Sequence, residues 1–122
     1  MGELDGLDAF FDGRPRAREL FETTRSVIES IGPSRMRVTK SQVAFARRRQ
    51  FAWAWVPDRY LKGKTAPLVL SISLRRQDES SRWKEVVEPA RGRWMHHLEV
   101  RNVDELDDEV SAWLREAYEE AG

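Results

Sequence analysis

Cysteine is missing from all 122 residues of this chain. Its absence excludes a disulfide framework and thiolate metal sites, and is compatible with a reducing compartment. Histidine is nearly missing too: His96 and His97 are the only two. As strand neighbours they would point to opposite faces of a sheet, so they could not ligate one metal together. No apolar run approaches the length that spans a bilayer. Met1 to Asp12 carries four acidic residues and no basic one, unlike a secretory signal. The sequence holds no glycine-rich phosphate loop, no nucleophile elbow, no internal repeat and no low-complexity stretch. These absences together point to a soluble, cytoplasmic protein with no metal, no cofactor and no assigned catalytic residues.

A mass of 14.3 kDa suits one domain spanning residues 1–122. Net charge is zero but unevenly spread: residues 1–31 carry −3, 32–64 carry +8, 65–101 carry +2 and 102–122 carry −7. A basic middle between acidic ends can screen itself inside a fold that packs terminal helices on a central sheet. This reading is preferred to a nucleic-acid footprint, which usually brings a basic overall pI.

The periodicity predicts α+β architecture: five antiparallel strands with an N-terminal and a C-terminal helix packed on one face, after a loosely ordered segment 1–13. Helix 14–31 opens at Pro15, repeats apolar residues at Leu20, Val27 and Ile31 with Phe21 and Ile28 beside them, and stops at Gly32-Pro33, with glycine as a left-handed cap. Strands follow at 35–39, 42–47 and 51–56. With Arg48-Arg49 as a two-residue turn, Ala46 pairs with Phe51, Ala44 with Trp53, Phe45 with Ala52 and Val43 with Ala54. Arginine is ill-suited to the positive φ of such a turn, so a longer loop is an alternative. Strands at 67–74 and 93–100 flank a long polar connection, 75–92. A helix over 103–121 carries Asn102 and Glu105 as a capping box.

The central strands are apolar on both sides. The alanine side suits close approach of a helix, which leaves Phe51, Trp53 and Trp55 facing something else: another segment, a second subunit or a ligand. Trp83, Val86 and Val87 of the long connection could fold over that face and fill it. Otherwise Trp53 and Trp55 would wall a pocket deepened by Ser71 and Ser73, with Arg35, Arg37 or His97 as polar anchors. Ser71 and Ser73 could neighbour His97 across the sheet, although serine there is usually a space-filler. The Arg47-Arg48-Arg49 run before the aromatic strand has the look of a basic-aromatic nucleic-acid surface. A solvated hairpin tip is the preferred reading, and nucleic acid is not an expected partner.

Several runs carry a family resemblance: Met36 to Phe45, Phe51-Ala-Trp-Ala-Trp55, Leu68 to Ile72, His96-His97, and the Asp-Glu-Leu-Asp-Asp helix ending Trp113 to Tyr118. From Phe10 to Tyr118 the chain resembles an uncharacterised bacterial family with a Val-Thr-Lys-Ser strand-turn motif. That family is known as a domain of unknown function, sometimes fused to nucleases or labelled a predicted transport protein. The chain is similar, more distantly, to small YdhG-like α+β domains. The resemblance supports the architecture and implies no established activity. By analogy with its motif, Lys40 and His97 are the positions to watch, beside the plainer reading of Thr39 to Ser41 as turn formers. The leading expectation is a non-enzymatic binding or interaction module, with homodimerisation through the aromatic face as one form of it. The alternative is a small-molecule site there, with Arg35, Arg37, Lys40, Trp53, Trp55, Ser71 and His97 as candidate contacts.

Overall fold

A computed structural model describes residues 3–122. The elements run α1 (Glu3–Phe10), α2 (Pro15–Ile31), β1 (Arg35–Val38), β2 (Val43–Ala46), β3 (Gln50–Trp55), β4 (Leu68–Leu74), β5 (Glu85–Ala90), β6 (Arg93–Val100) and α3 (Asp108–Glu120). The strands form one antiparallel sheet in the order β1-β2-β3-β4-β6-β5. The fold is α+β as expected, with six strands instead of five. The extra strand, β5, lies within the connection read as strandless. Its sequence, Glu-Val-Val-Glu-Pro-Ala, offers little period-two signal. An edge strand pairs on one side only, so it tolerates Pro89 and charged residues.

Alternation along the strands places the core on one face. Val43, Phe45, Ala52, Ala54, Leu68, Leu70, Ile72, Leu74, Leu98 and Val100 are buried there with apolar residues of all three helices. The segment expected to be loose contributes to it: Leu7 and Phe10 of α1, with Phe11 just after, are buried. Phe11 packs 5.1 Å from Phe21, which stacks 6.0 Å from Phe45, so the N-terminal segment reaches the sheet through three aromatic rings. Arg59 holds it from outside. Its guanidinium sits 4.5 Å from the Phe10 ring centre and donates to the Phe10 and Lys40 carbonyls.

Helix α2 follows the expected stripe, with Ala17, Leu20, Phe21, Thr24 and Ile28 buried. Gly32 does not cap it in the left-handed region; its backbone is extended at φ 165° and ψ 179°. What calls for glycine is space, because a Cβ there would collide with the Tyr118 hydroxyl, which donates to the Pro33 carbonyl at 2.9 Å. The C-terminal helix begins later than expected. Asn102 and Glu105 form the expected capping box, with Glu105 accepting from the Asn102 N–H at 2.9 Å. The Asn102 side chain also accepts from Arg16, and the turn the box opens is a single 3₁₀ turn, Val103–Glu105. Helix α3 starts after Asp107, whose carboxylate accepts from the Val110 N–H.

The β2–β3 register is as expected at three pairs, Val43–Ala54, Ala44–Trp53 and Phe45–Ala52. It fails at the fourth, where Ala46 pairs with Gln50 and Phe51 is the extra residue of a bulge. The turn is therefore longer than two residues, with Arg47 N–H donating to Arg49 O, and none of its residues takes positive φ. The amides of Arg48 and Arg49 both donate to Ala121 O at the end of α3. Because of the bulge, Phe51 does not join Trp53 and Trp55. It is 1% exposed and meets Tyr118 edge-on at 5.7 Å, on the helix side.

The connection 75–84 does not fold over the aromatic face either. Trp83 lies on the helix side, 4.1 Å from Trp113 and 4.9 Å from His96 between ring centres. Val86 packs against the core and Val87 is exposed.

Candidate functional site

The sheet's second face is built on a row of directly opposed residues, one from each strand. In order across the sheet these are Arg37, Ala44, Trp53, Ser71, His97 and Glu85. Strand spacing makes the row about 24 Å long. Arg37 and Glu85, at its two ends, are exposed, and neither forms an ion pair among the described residues. Trp53 and His97 are half-buried, and Ala44 and Ser71 lie beneath their larger neighbours. A second row sets Trp55 beside Val69 and Glu99.

Three side chains are linked in the middle of this face. The Trp55 indole N–H donates to Ser71 Oγ at 3.0 Å, and Ser71 Oγ lies 2.7 Å from His97 Nδ1. An indole can only donate, so Ser71 accepts from Trp55, while the direction of the Ser71–His97 bond follows the tautomer of the imidazole. The His97 ring stands edge-on to Trp55 with centres 6.3 Å apart. This chain fixes an indole. A serine nucleophile would need an exposed hydroxyl, and Ser71 is 3% exposed with its oxygen engaged on both sides. For the same reason Ser71 offers no open floor to a ligand. Trp53 is held separately, its N–H donating to Gln50 Oε1 at 3.1 Å.

The candidate contacts divide accordingly. Arg37, Trp53, Trp55, Ser71 and His97 share the face, and Arg35 stands on the same strand face at the end of β1. Lys40 is exposed in the β1–β2 turn, where its carbonyl accepts from Arg59; the structure does not bring it to the others. Reading the sequence missed Tyr60 and Leu61, both exposed apolar residues, of which Tyr60 stands 6.3 Å from Trp55; Val87, named there as a possible cover, is exposed on β5 instead. Tyr60 and Leu61 sit in a loop of no regular period and carried no signal. A recess of about 370 Å³ lies between Trp55, Tyr60, Leu61, Ser41 and Gln42.

The two histidines do occupy opposite faces. His96 is fully buried beneath α3. The Asp78 backbone N–H donates to its Nε2 at 3.0 Å, so the ring carries its proton on Nδ1, toward the Ile72 carbonyl at 3.2 Å. Burial pushes the His96 pKa down, against the pull of the Ile72 carbonyl and the Asp78 charge. Burial lowers His97 as well; Glu85 opposes the shift and His96 adds to it. Unfolded histidine binds a proton near pH 6.5, where the folded rings do not, so the unfolded state gains protons first as pH falls. Stability should therefore be level above about pH 7.5 and fall as pH drops from about 6.5 toward the lowered folded values. Melting temperatures from pH 7.5 to 5 test this. The decline should be shallower in His97→Gln, and a flat wild-type profile would rule it out. Asp78 is also held below the usual carboxylate range: burial raises it, but hydrogen bonds from Trp83, the Ser80 N–H and Arg76 outweigh burial. Its window lies below about pH 4 and does not overlap.

Among the described residues no three acidic or imidazole groups cluster to hold a metal, and no helix is long and apolar enough to cross a membrane. No curated protein and no solved structure matches the chain. A family model does, over residues 7–121, which include every strand and the whole of the uncovered face: the chain belongs to the family described as Domain of unknown function (DUF5655).

Proposed function

We propose that this domain is a non-enzymatic binding module that self-associates through the uncovered face of its sheet. One observation carries the reading. The buried apolar strand residues of the core face share one cluster with residues of all three helices, while the opposite face presents half-buried Trp53, Trp55 and Met95 with exposed Val87, Tyr60 and Leu61. Apolar area of this kind is rare on a monomer unless it serves contact.

The charge pattern favours a second copy as the occupant. The central row begins at Arg37 on one edge strand and ends at Glu85 on the other. When one sheet is turned over onto another about a two-fold axis along the strands, left and right exchange. Arg37 of each copy then stands over Glu85 of its partner, with Trp53 and Ser71 near the axis. Such an interface is self-complementary, as two-fold symmetry demands. Complementary charge fixes its register even where it contributes little affinity.

Sedimentation equilibrium from about 10 μM to 1 mM tests the reading. The wild type should dimerise, and Arg37→Glu should weaken the dimer about tenfold, which is 1.4 kcal/mol. Arg37→Glu/Glu85→Arg should recover it, because the swap restores the pairing with its sign reversed. A monomer throughout, or a double variant no better than the single, defeats the proposal. A monomer whose tryptophan emission responds to a small molecule would favour instead a ligand in the recess beside Trp55 and Tyr60.

A further inference from the structure

Every strand of the sheet brings arginine to the same end. Arg35 opens β1, Arg47, Arg48 and Arg49 form the β2–β3 turn, Arg75 follows β4, Arg91 lies in the β5–β6 turn and Arg93 opens β6. The antiparallel order makes this an end-on cluster: Arg35 pairs with Ala46, Ala46 with Gln50, Leu74 with Trp94 and Ala90 with Arg93. Part of the charge has a local use. Arg47 donates to the Tyr118 carbonyl, and Arg49 and Arg75 donate to that of Glu120. These guanidinium groups answer the unpaired carbonyls and negative dipole end of α3. Two nearby carboxylates are occupied by backbone: Glu120 accepts from the Arg75 N–H and Glu88 from the Gly92 N–H.

The side chains of Arg91 and Arg93 have no hydrogen-bond or ion-pair partner among the described residues, and both residues are exposed. They line a cleft of about 230 Å³ together with Arg49, Arg75 and Glu120, over a floor that includes Phe51, Leu74 and Ala117. The lining residues thus include four arginines against one glutamate, with Arg49 and Arg75 already donating to the Glu120 carbonyl. We infer that this cleft is a binding site for the phosphate group of a small organic molecule. Like charges lining one cleft repel, and a bound anion relieves that repulsion. A lone carboxylate has two oxygens and would satisfy one guanidinium fork. A phosphate has three free oxygens and up to two charges, which can accept from two forks at once. The apolar floor suits a carbon skeleton on the phosphate. The cleft is smaller than the usual 300–1,000 Å³ of sites for drug-sized ligands, so the body must be small.

Phenyl phosphate and inorganic phosphate are suitable probes, titrated by calorimetry into the intact protein at low salt. Phenyl phosphate should bind the more tightly of the two, and Arg91→Ala/Arg93→Ala should weaken it by about tenfold or more. Both arginines are exposed and Gly92 is untouched, so circular dichroism of the variant should match the wild type. Arg91→Lys/Arg93→Lys retains the charge and loses the fork, and should fall between the two. Lys62→Ala/Lys64→Ala, in the loop that leads to the opposite end of the sheet, should change nothing. The inference is overturned if phenyl phosphate fails to bind, or if binding ignores the arginine pair. It is also overturned if a single-stranded oligonucleotide binds where both small phosphates do not, since that would make the arginine end an extended backbone track.

Discussion

Replacing Trp83 by alanine should cost about 3–5 kcal/mol, the usual range for emptying a buried tryptophan site. Trp83 is 8% exposed, lies between Trp113 and His96, and donates its indole N–H to Asp78 at 2.9 Å. Asp78 in turn donates its backbone N–H to His96 and takes an ion pair from Arg76, which also reaches Glu116 of α3. Loss of the indole therefore leaves both a cavity and a carboxylate short of a donor beneath α3. Domains of this size are stable by only about 5–15 kcal/mol, so the urea midpoint should move far enough to measure without ambiguity. Trp53→Ala is the control. Trp53 is half-buried on the other face, and its removal should cost much less. Equal losses at residues 53 and 83 would mean that the two faces have been assigned the wrong way round.

The second large effect is expected at Phe11→Ala, again about 3–5 kcal/mol. Phe11 is 4% exposed and contacts Phe10 edge-on at 4.8 Å as well as Phe21. Aromatic pairs add to the area they bury, so the Phe11–Phe21–Phe45 series should be felt as a unit. If the first thirteen residues were a loose appendage, the same substitution would fall within about 0.5 kcal/mol of the wild type, as for surface positions generally. Equilibrium denaturation of this one variant separates the alternatives.

The two substitutions fall where reading along the chain departs furthest from the fold. Phe10-Phe11 follows a short acidic stretch with Gly6 in its middle, which shows no helical stripe of its own; its helix exists because Leu7, Phe10 and Phe11 have Phe21 and the sheet to pack against. Trp83 sits in a polar segment and could have served either face. Burial beneath α3 gives its N–H a carboxylate partner and its ring two aromatic neighbours, which the open face does not supply there. Phe51 alternates with Trp53 and Trp55 in sequence, and only the bulge, set by the Arg47–Arg49 turn docking on the end of α3, rotates it inward.

The candidate face was legible in part. Large-against-alanine pairing gave Ala44–Trp53 and Phe45–Ala52 directly, because side chains alternate strictly and volumes must match across strands. The opposition of His96 and His97, and the chance of serine meeting His97 across the sheet, followed from the same period. The arginines at one end were visible as residues but not as a cluster, since their meeting depends on β6 lying between β4 and β5.

The sequence by itself determined which segments carry periodic apolar stripes, that the middle strands are apolar on both sides, and where proline and glycine stop α2. These are local properties, settled by residues within a few positions of one another. Tertiary structure decided which side Trp83 and Phe51 take, that β5 forms at an edge, and that Arg37 and Glu85 end one row about 24 Å across. Each of those rests on partners distant in the chain, and the free energy that selects among them is released only when the faces meet.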